Sequence, residues 1–475
     1  MRVLAIDQGT SATKAIVVDD GIVVAEASAP CAPTATPDGG VEVDPDAIWQ
    51  SLLRAGGDAL HRCGGQAPDA IGLANQGETV IAWDRATGDP IGPGIVWQDR
   101  RSADVCERIR AADGAAELEA ISGLQLDPYF VAPKVAWLRA RLGAGPTITT
   151  SDVWLLHRLC GSFVTDAATA SRTLLMDLRA VAWSDAACSA FDIDPATLAD
   201  IVPNAGPIGT TEAFGGTGVP VTGLCVDQQA ALFAQSCVDS GEAKCTYGTG
   251  AFLLASTGAT PTWSTNGLVG SVGWQLDSGT TWCLDGQVYT VGAAVTWLQN
   301  IGCIDGPKDL DALGATVTGS GGVTFVPGLA GLGAPFWAPH AKGSLTGLSL
   351  GTSRAHVVHA VVEGIAAQVA WLARAAAADL GAPLTRLRVD GGLTRSRLLL
   401  QIQADLVQVP VEVYPSPDAT ALGVAAFARI GAGDRDAPTA WRPVAVLEPT
   451  ISADEADDRL ARWRSIADAT VALDA

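Results

Sequence analysis

One pattern occurs twice in this chain and limits what it can fold into. An apolar run enters a turn of glycine and threonine, and a second apolar run leaves it. The first copy is "LAIDQGTSATKAIVV", residues 4 to 18, and the second is "AKCTYGTGAFLLASTG", residues 243 to 258. Each reads as strand, tight turn, strand, and the pair reads as an internal duplication with one copy per domain. Single cores stop growing near about 250–300 residues, so 475 residues fit two domains. Between the copies, strand patterns alternate with helical ones. "DPDAIWQSLLRAGGDALHRC" is a helix behind an Asp44-Pro45 start, "AIGLANQ" is a buried strand, and helices are expected around 102–120, 133–142 and 150–160. "GAAVTWLQNIG" and "HVVHAVVEGIAAQVAWLARAAAADLG" are further helices, and "RLRVDGG" is a strand running into a glycine turn. The alternation predicts an α/β fold. The domain change is placed near 236–240, dividing residues 1–237 from 238–475.

Composition narrows the partners. The formal net charge is −21, which leaves no electrostatic footprint for nucleic acid and suits an anionic membrane surface poorly. Any anionic ligand must be held by backbone N–H groups, single lysines or a metal ion. No run of about 18 apolar residues marks a membrane span. Asp7 interrupts the one early apolar run, so no signal peptide is expected. The ten cysteines are scattered without CxxC pairs and read as buried free thiols of a cytoplasmic protein.

Four segments carry candidate chemistry. In the opening turn, Gly, Thr and Ser offer N–H groups and hydroxyls to an anion. Asp7 at the strand end can hold a hydrated Mg²⁺, and Lys14 supplies a point charge. An ordinary hairpin with a solvent-facing lysine reads equally from these residues. "TYGTGAF", 246 to 252, repeats the arrangement, with Thr249 offering a hydroxyl. "VDGGLTRSR", 389 to 397, ends a strand in Gly391-Gly392, where a nucleotide can lie against backbone. In "CVDQQAAL", Asp227 ends an apolar strand and opens an apolar helix. It suits a proton acceptor for a hydroxyl nucleophile in phosphoryl transfer, and it equally suits a helix cap. Arg100 and Arg101, in "QDRRS", read either as structural ion pairs or as groups near a cleft.

Long, ordered stretches of this chain resemble the FGGY carbohydrate kinases, and within them the glycerol kinase branch. They include "IDQGTSATKAIVVD", "NQGETVIAWDRATGDPIGPGIVWQDRR", "DVWLLHRLCGSFVTDAATASRTLLMDL", "GLCVDQQAALFAQ", "AKCTYGTGAFLL" and "PGLAGLGAPFWAP". The resemblance implies the two-domain actin-like ATPase (ribonuclease H-like) fold with an interdomain cleft, substrate mainly in the first domain and ATP mainly in the second, with Mg²⁺ as cofactor. It implies that Thr10, Ser11, Ala12 and Lys14 face the ATP phosphates. Thr249, Gly292, Thr296, Gly392 and Ser396 would contact the nucleotide, with Ser396 standing where the family usually has a longer amide. Asp7 and Asp227 would associate with the metal, and Asp227 would be the catalytic base. The family also forms homodimers and homotetramers.

The resemblance places the acceptor among Gly77, Glu78, Trp97, Tyr129, Asp227, Gln228 and Phe252. Gly77 is the departure, since the family has arginine there. Two readings follow. Glycerol is the acceptor and something replaces the arginine, or the vacated space takes a four- or five-carbon polyol or ketose such as erythritol, threitol, a pentitol or xylulose. Rivals from other classes are a non-kinase actin-like ATPase and a catalytically silent sugar sensor. Glu78, Tyr129 and Asp227-Gln228 argue against the ATPase, and the presence of both Asp7 and Asp227 argues against the sensor.

Overall fold

The computed structural model describes residues 1–37, 39–434 and 441–473. Its opening hairpin forms as the apolar pattern dictates. Arg2–Gln8 pairs antiparallel with Ala12–Asp19, which puts Asp7 directly opposite Lys14. Asp20 and Gly21, both at positive φ, turn the chain into a third antiparallel strand, Ile22–Pro30. Ala70–Asn75 then lies parallel to the first strand and Val219–Val226 parallel to that one. Ala205–Thr211 closes the edge antiparallel.

The second Gly-Thr turn starts a sheet of the same design. Ala243–Tyr247 pairs antiparallel with Ala251–Gly258, which pairs antiparallel with Gly279–Val288. Leu387–Asp390 and Val411–Val413 continue in parallel on the other side. Each sheet thus contains the same five-strand arrangement, an antiparallel run of three strands followed by two parallel ones: Ile22–Pro30, Ala12–Asp19, Arg2–Gln8, Ala70–Asn75, Val219–Val226 in the first, and Gly279–Val288, Ala251–Gly258, Ala243–Tyr247, Leu387–Asp390, Val411–Val413 in the second. The duplication seen in two short turns extends to five strands on each side.

Successive side chains of a strand face opposite ways, and the first strand shows the result. Leu4 and Ile6 face the helix Pro45–Arg62 through Ile48, Leu52, Ala55 and Ala59. Asp44 caps that helix by accepting from the Asp46 N–H at 3.0 Å. Val3 and Ala5 face the helix Ala419–Gly431, through Ala421, Val424, Ala425 and Ala428. A helix from late in the chain therefore covers one face of the first sheet.

The region expected as one helix around 102–120 is two, Ala103–Ala111 and Ala115–Ser122. Asp113, at φ 58, breaks it. The long helix Arg354–Leu380 is apolar and long enough to cross a membrane, although no such run was expected. Its most apolar window is 72% buried inside the protein, as in a core helix. Among the described residues all ten cysteines are free thiols.

Candidate active site

Asp227 is the first residue of the helix Asp227–Ala234, where the strand Val219–Val226 ends. Its Oδ1 accepts from the Gln228 N–H at 2.7 Å. Burial pushes its carboxyl up to about 6, the Glu78 charge adds to the rise, and Lys244 opposes it. Asp7, at the end of the first strand, is pushed up to about 7 by burial and then by Asp227, with Lys14 opposing. Asp227 and Asp7, whose rise Asp227 deepens, are two buried carboxylates that form a donor set for a hard dication.

A cavity of about 60 Å³ opens beside Asp227. Every residue expected to meet the acceptor lines it: Gly77, Glu78, Trp97, Tyr129, Asp227, Gln228 and Phe252. Thr10, from the opening turn, reaches the same cavity. Its hydroxyl accepts from Trp97 Nε1 at 2.9 Å, which ties the Gly-Thr turn to the cavity wall. The aromatic walls pack edge to face, with Trp97 5.9 Å from Tyr129 and 6.0 Å from Phe252 between ring centroids. Phe252 comes from the second sheet, so both halves of the molecule build this cavity.

Gly77 lines the cavity beside Val226. A Cβ built there would stand 3.1 Å from Val226 Cγ2. Glu78 follows at φ 57, a left-handed backbone that non-glycine residues seldom adopt and that recurs at functional sites.

Three charged residues of this region escaped the sequence reading. Arg172 is 3% exposed. Its Nε donates to Glu78 Oε1 at 2.7 Å, and its Nη1 donates to Ser271 Oγ at 2.8 Å and lies 2.8 Å from Asp285 Oδ2. Burial opposes its charge, but Asp285 and Glu78 more than offset that, so the guanidinium stays charged. Burial also pushes the Glu78 carboxyl above its ordinary range, against the pull of Arg172. Lys244 is fully buried and donates to Gln228 Oε1 at 2.5 Å and Thr246 Oγ1 at 2.9 Å. Thr246 in turn donates to Asp390 Oδ1 at 2.6 Å. This relay leads from the acceptor cavity to the Gly391-Gly392 turn. The available signal was a charge inside an otherwise apolar strand, "AKCTY" for Lys244 and "WCLDGQV" for Asp285.

The neighbouring charges also find partners. Arg100 pairs with Asp127 and lies 4.9 Å over the Tyr289 ring. Arg101 pairs with Asp99 at 2.9 Å and Glu42 at 2.8 Å. Lys14 is ion-paired with Asp418 and lies 3.7 Å from Glu26, so carboxylates already offset its charge. Ser11 is exposed, and Ala12 begins the second strand.

A second, larger cavity of about 570 Å³ lies at the end of the second sheet, lined by Tyr247, Gly248, Leu310, Asp311, Gly392 and Ser396 among others. Gly391, at φ 95, passes so close that a Cβ would meet Tyr247 O at 2.4 Å. Gly292 opens the helix Gly292–Asn300 against the second Gly-Thr turn. Its N–H donates to Gly248 O at 3.1 Å, and a Cβ there would stand 2.7 Å from the same oxygen. Thr249 is exposed on that turn, and its carbonyl accepts from the Val291 N–H at 3.0 Å. Thr296, one turn along the helix, donates to Gly292 O at 3.2 Å. Ser396 caps the helix Arg397–Val407 and hydrogen-bonds Asp311. Of the residues expected on the nucleotide side, Gly392 and Ser396 line this cavity, while Thr249, Gly292 and Thr296 lie on the neighbouring turn and helix start, joined to it through Gly248.

Comparison with known proteins agrees with this geometry. The FGGY family of carbohydrate kinases matches by its N-terminal domain over residues 2–234 and by its C-terminal domain over residues 243–432. The chain is 42% identical to the glycerol kinase of Aromatoleum aromaticum and 42% identical to that of Thermus brockianus, each over 97% of both chains. Among solved structures it resembles Plasmodium falciparum glycerol kinase with ADP at a TM-score of 0.90 and 30% identity, covering 99% of this chain and 98% of that one. It also resembles the xylulose kinase from Rhodospirillum rubrum at a TM-score of 0.85 and 26% identity, covering 98% of each. The chain is a phosphotransferase with an alcohol group as acceptor, built on the actin-like ATPase fold, and it belongs to the FGGY family of carbohydrate kinases.

Proposed function

We propose that this protein transfers the γ-phosphoryl group of ATP to a terminal hydroxyl of glycerol. The observation that carries the reading is the lining of the acceptor cavity, where the carboxyls of Glu78 and Asp227 stand with Gln228 among the aromatic walls of Trp97, Tyr129 and Phe252. Carboxyl and amide groups set among aromatic walls suit a small polyol, whose hydroxyls they bind and whose carbons the rings cover. The high identity to glycerol kinases points the same way.

In this reading Oδ1 of Asp227 is occupied by the Gln228 N–H, and Oδ2 takes the proton of the attacking hydroxyl. Glu78 accepts from a second hydroxyl. Trp97 and Phe252 pack on the carbon chain and exclude water, so the phosphoryl group reaches an alcohol rather than solvent. The adenosine occupies the cavity at Gly392 and Ser396, and the phosphates run past Thr249, Gly292 and Thr296 toward Thr10, Ser11 and Ala12. Lys14, held by Asp418, acts on the phosphates through Asp7 rather than as a free cation. Asp7 and Asp227 would hold Mg²⁺, which neutralises charge on the transferring phosphoryl group. The acceptor-binding half is residues 1–237, with Phe252 added from 238–475. The setting is cytoplasmic.

The test is ADP release from Mg²⁺-ATP with and without glycerol. Release that depends on glycerol is expected. An ATPase rate indifferent to glycerol and to every other polyol would overturn the reading.

A further inference from the structure

We propose that Arg172 binds the acceptor directly, donating from Nη2 to a substrate hydroxyl while its other nitrogens hold Glu78 and the second sheet. The proposal rests on the polyol-kinase reading above.

The polar wall of the cavity is rich in acceptors. Glu78, Asp227 and Asp285 all line it, and each is a carboxyl group. A polyol hydroxyl that donates to one of them still offers lone pairs, and in a site this small they need donors. Trp97 Nε1 is taken by Thr10, and Tyr129, Gln228 and Gln229 also bring donors to the cavity, Gln229 Nε2 among them buried without a partner among the described residues, but none of these carries a charge. Arg172 lines the cavity, and its five N–H hydrogens are not all used. Nε serves Glu78, and Nη1 serves Ser271 and Asp285. Among the described residues nothing pairs with Nη2. A planar guanidinium fixed at two nitrogens presents the third without further loss of side-chain freedom.

The anchoring adds a second consequence. Glu78 lies in the turn after Ala70–Asn75, whereas Ser271 and Asp285 belong to the second sheet. Arg172 therefore touches both walls of the cleft. Its Nη2 and the Glu78 carboxylate are aligned together only when the two sheets stand as they do here, so acceptor recognition is coupled to cleft closure. Position 77 has no side chain and faces Val226, which leaves Arg172 as the guanidinium of this pocket.

The test uses Arg172→Lys, which keeps the charge and loses the fork, with glycerol, propane-1,2-diol and propane-1,3-diol as probes. A hydrogen bond to a charged donor corresponds to roughly 10- to 150-fold in binding. The KM for glycerol should rise by that factor while the KM for ATP stays within about two-fold. Discrimination against one of the two diols should shrink by the same factor, because the variant no longer contacts the hydroxyl that diol lacks. A purely structural role predicts a uniform fall with the glycerol-to-diol ratios unchanged, and that result overturns the proposal. Should Arg172→Lys not fold, Ser271→Ala loosens Nη1 and should shift the same ratio by several-fold. Unchanged ratios in a folded Ser271→Ala variant then overturn it. A wild-type enzyme inert to glycerol but active on erythritol or xylulose would refute the glycerol assignment alone. The Arg172 comparison would then be run on that acceptor and its deoxy analogue. Inertness to all polyols refutes both.

Discussion

Asp227→Asn should trade activity for stability. Asparagine is nearly isosteric, and its Oδ1 still accepts from the Gln228 N–H now held at 2.7 Å. It takes no proton from a hydroxyl, so kcat should fall by about 10²–10⁴-fold, the usual worth of a positioned general base. The stability effect has the opposite sign. In the folded, metal-free protein the Asp227 carboxyl is raised from 3.8 to about 6. A carboxyl with a raised folded pKa costs stability once it ionises, and the cost grows as pH rises from about 4 to about 6. Roughly two pH units at about 1.4 kcal/mol each make up to about 3 kcal/mol above pH 6. The variant lacks this cost and also relieves Asp7, whose own rise is partly due to Asp227. Urea unfolding in EDTA at pH 4 and pH 8 reads the difference. The variant should be more stable than wild type at pH 8 and nearly equal at pH 4. Wild-type turnover in the variant, or equal stability at pH 8, would refute the reasoning.

Gly391→Ala places a Cβ 2.4 Å from Tyr247 O at φ 95. It should cost about 1–3 kcal/mol by thermal unfolding and raise the KM for ATP. Trp97→Phe keeps the ring packing but loses the 2.9 Å bond to Thr10. The KM for glycerol should rise about 2- to 13-fold, from roughly 0.5–1.5 kcal/mol. Lys134 is buried beneath the cavity wall, donating to the carbonyls of Tyr129 and Phe130, and burial lowers it from 10.5 to about 7. The unfolded chain therefore binds the extra proton between about pH 7 and 10.5, and stability gains up to about 1.4 kcal/mol per pH unit there. Lys134→Met should lose that increment of slope in unfolding titrations across pH 7 to 10.

The repeated Gly-Thr turns are local events. A short apolar run on each side makes strands with little choice, and so both hairpins and the strand-to-helix switch at Asp227 were legible. The acceptor residues were legible only through resemblance, because nothing local brings Trp97, Tyr129 and Phe252 together. The strands Val269–Leu276 and Gly279–Val288 were not read, and neither was the helix Ala453–Leu473. Ion pairing was harder still. Arg172 meets Asp285 across more than a hundred residues and Lys14 meets Asp418 across about four hundred. Such pairs depend on how the two sheets and the crossing helix Ala419–Gly431 are arranged, which no spacing in one segment records. The departure at Gly77 was visible, but its neighbour Val226 was not, because that residue comes from a different strand.

The claim most open to test is that a cavity lined by Glu78, Trp97, Tyr129, Asp227, Gln228 and Phe252 takes glycerol as its best acceptor. Measuring kcat/KM in one coupled ADP-release assay for glycerol, erythritol, threitol, the pentitols, xylulose and ribulose tests it most directly. The account predicts glycerol as the best acceptor, with four-carbon polyols weaker and five-carbon acceptors weakest. A pentitol or pentulose with the highest kcat/KM would contradict it.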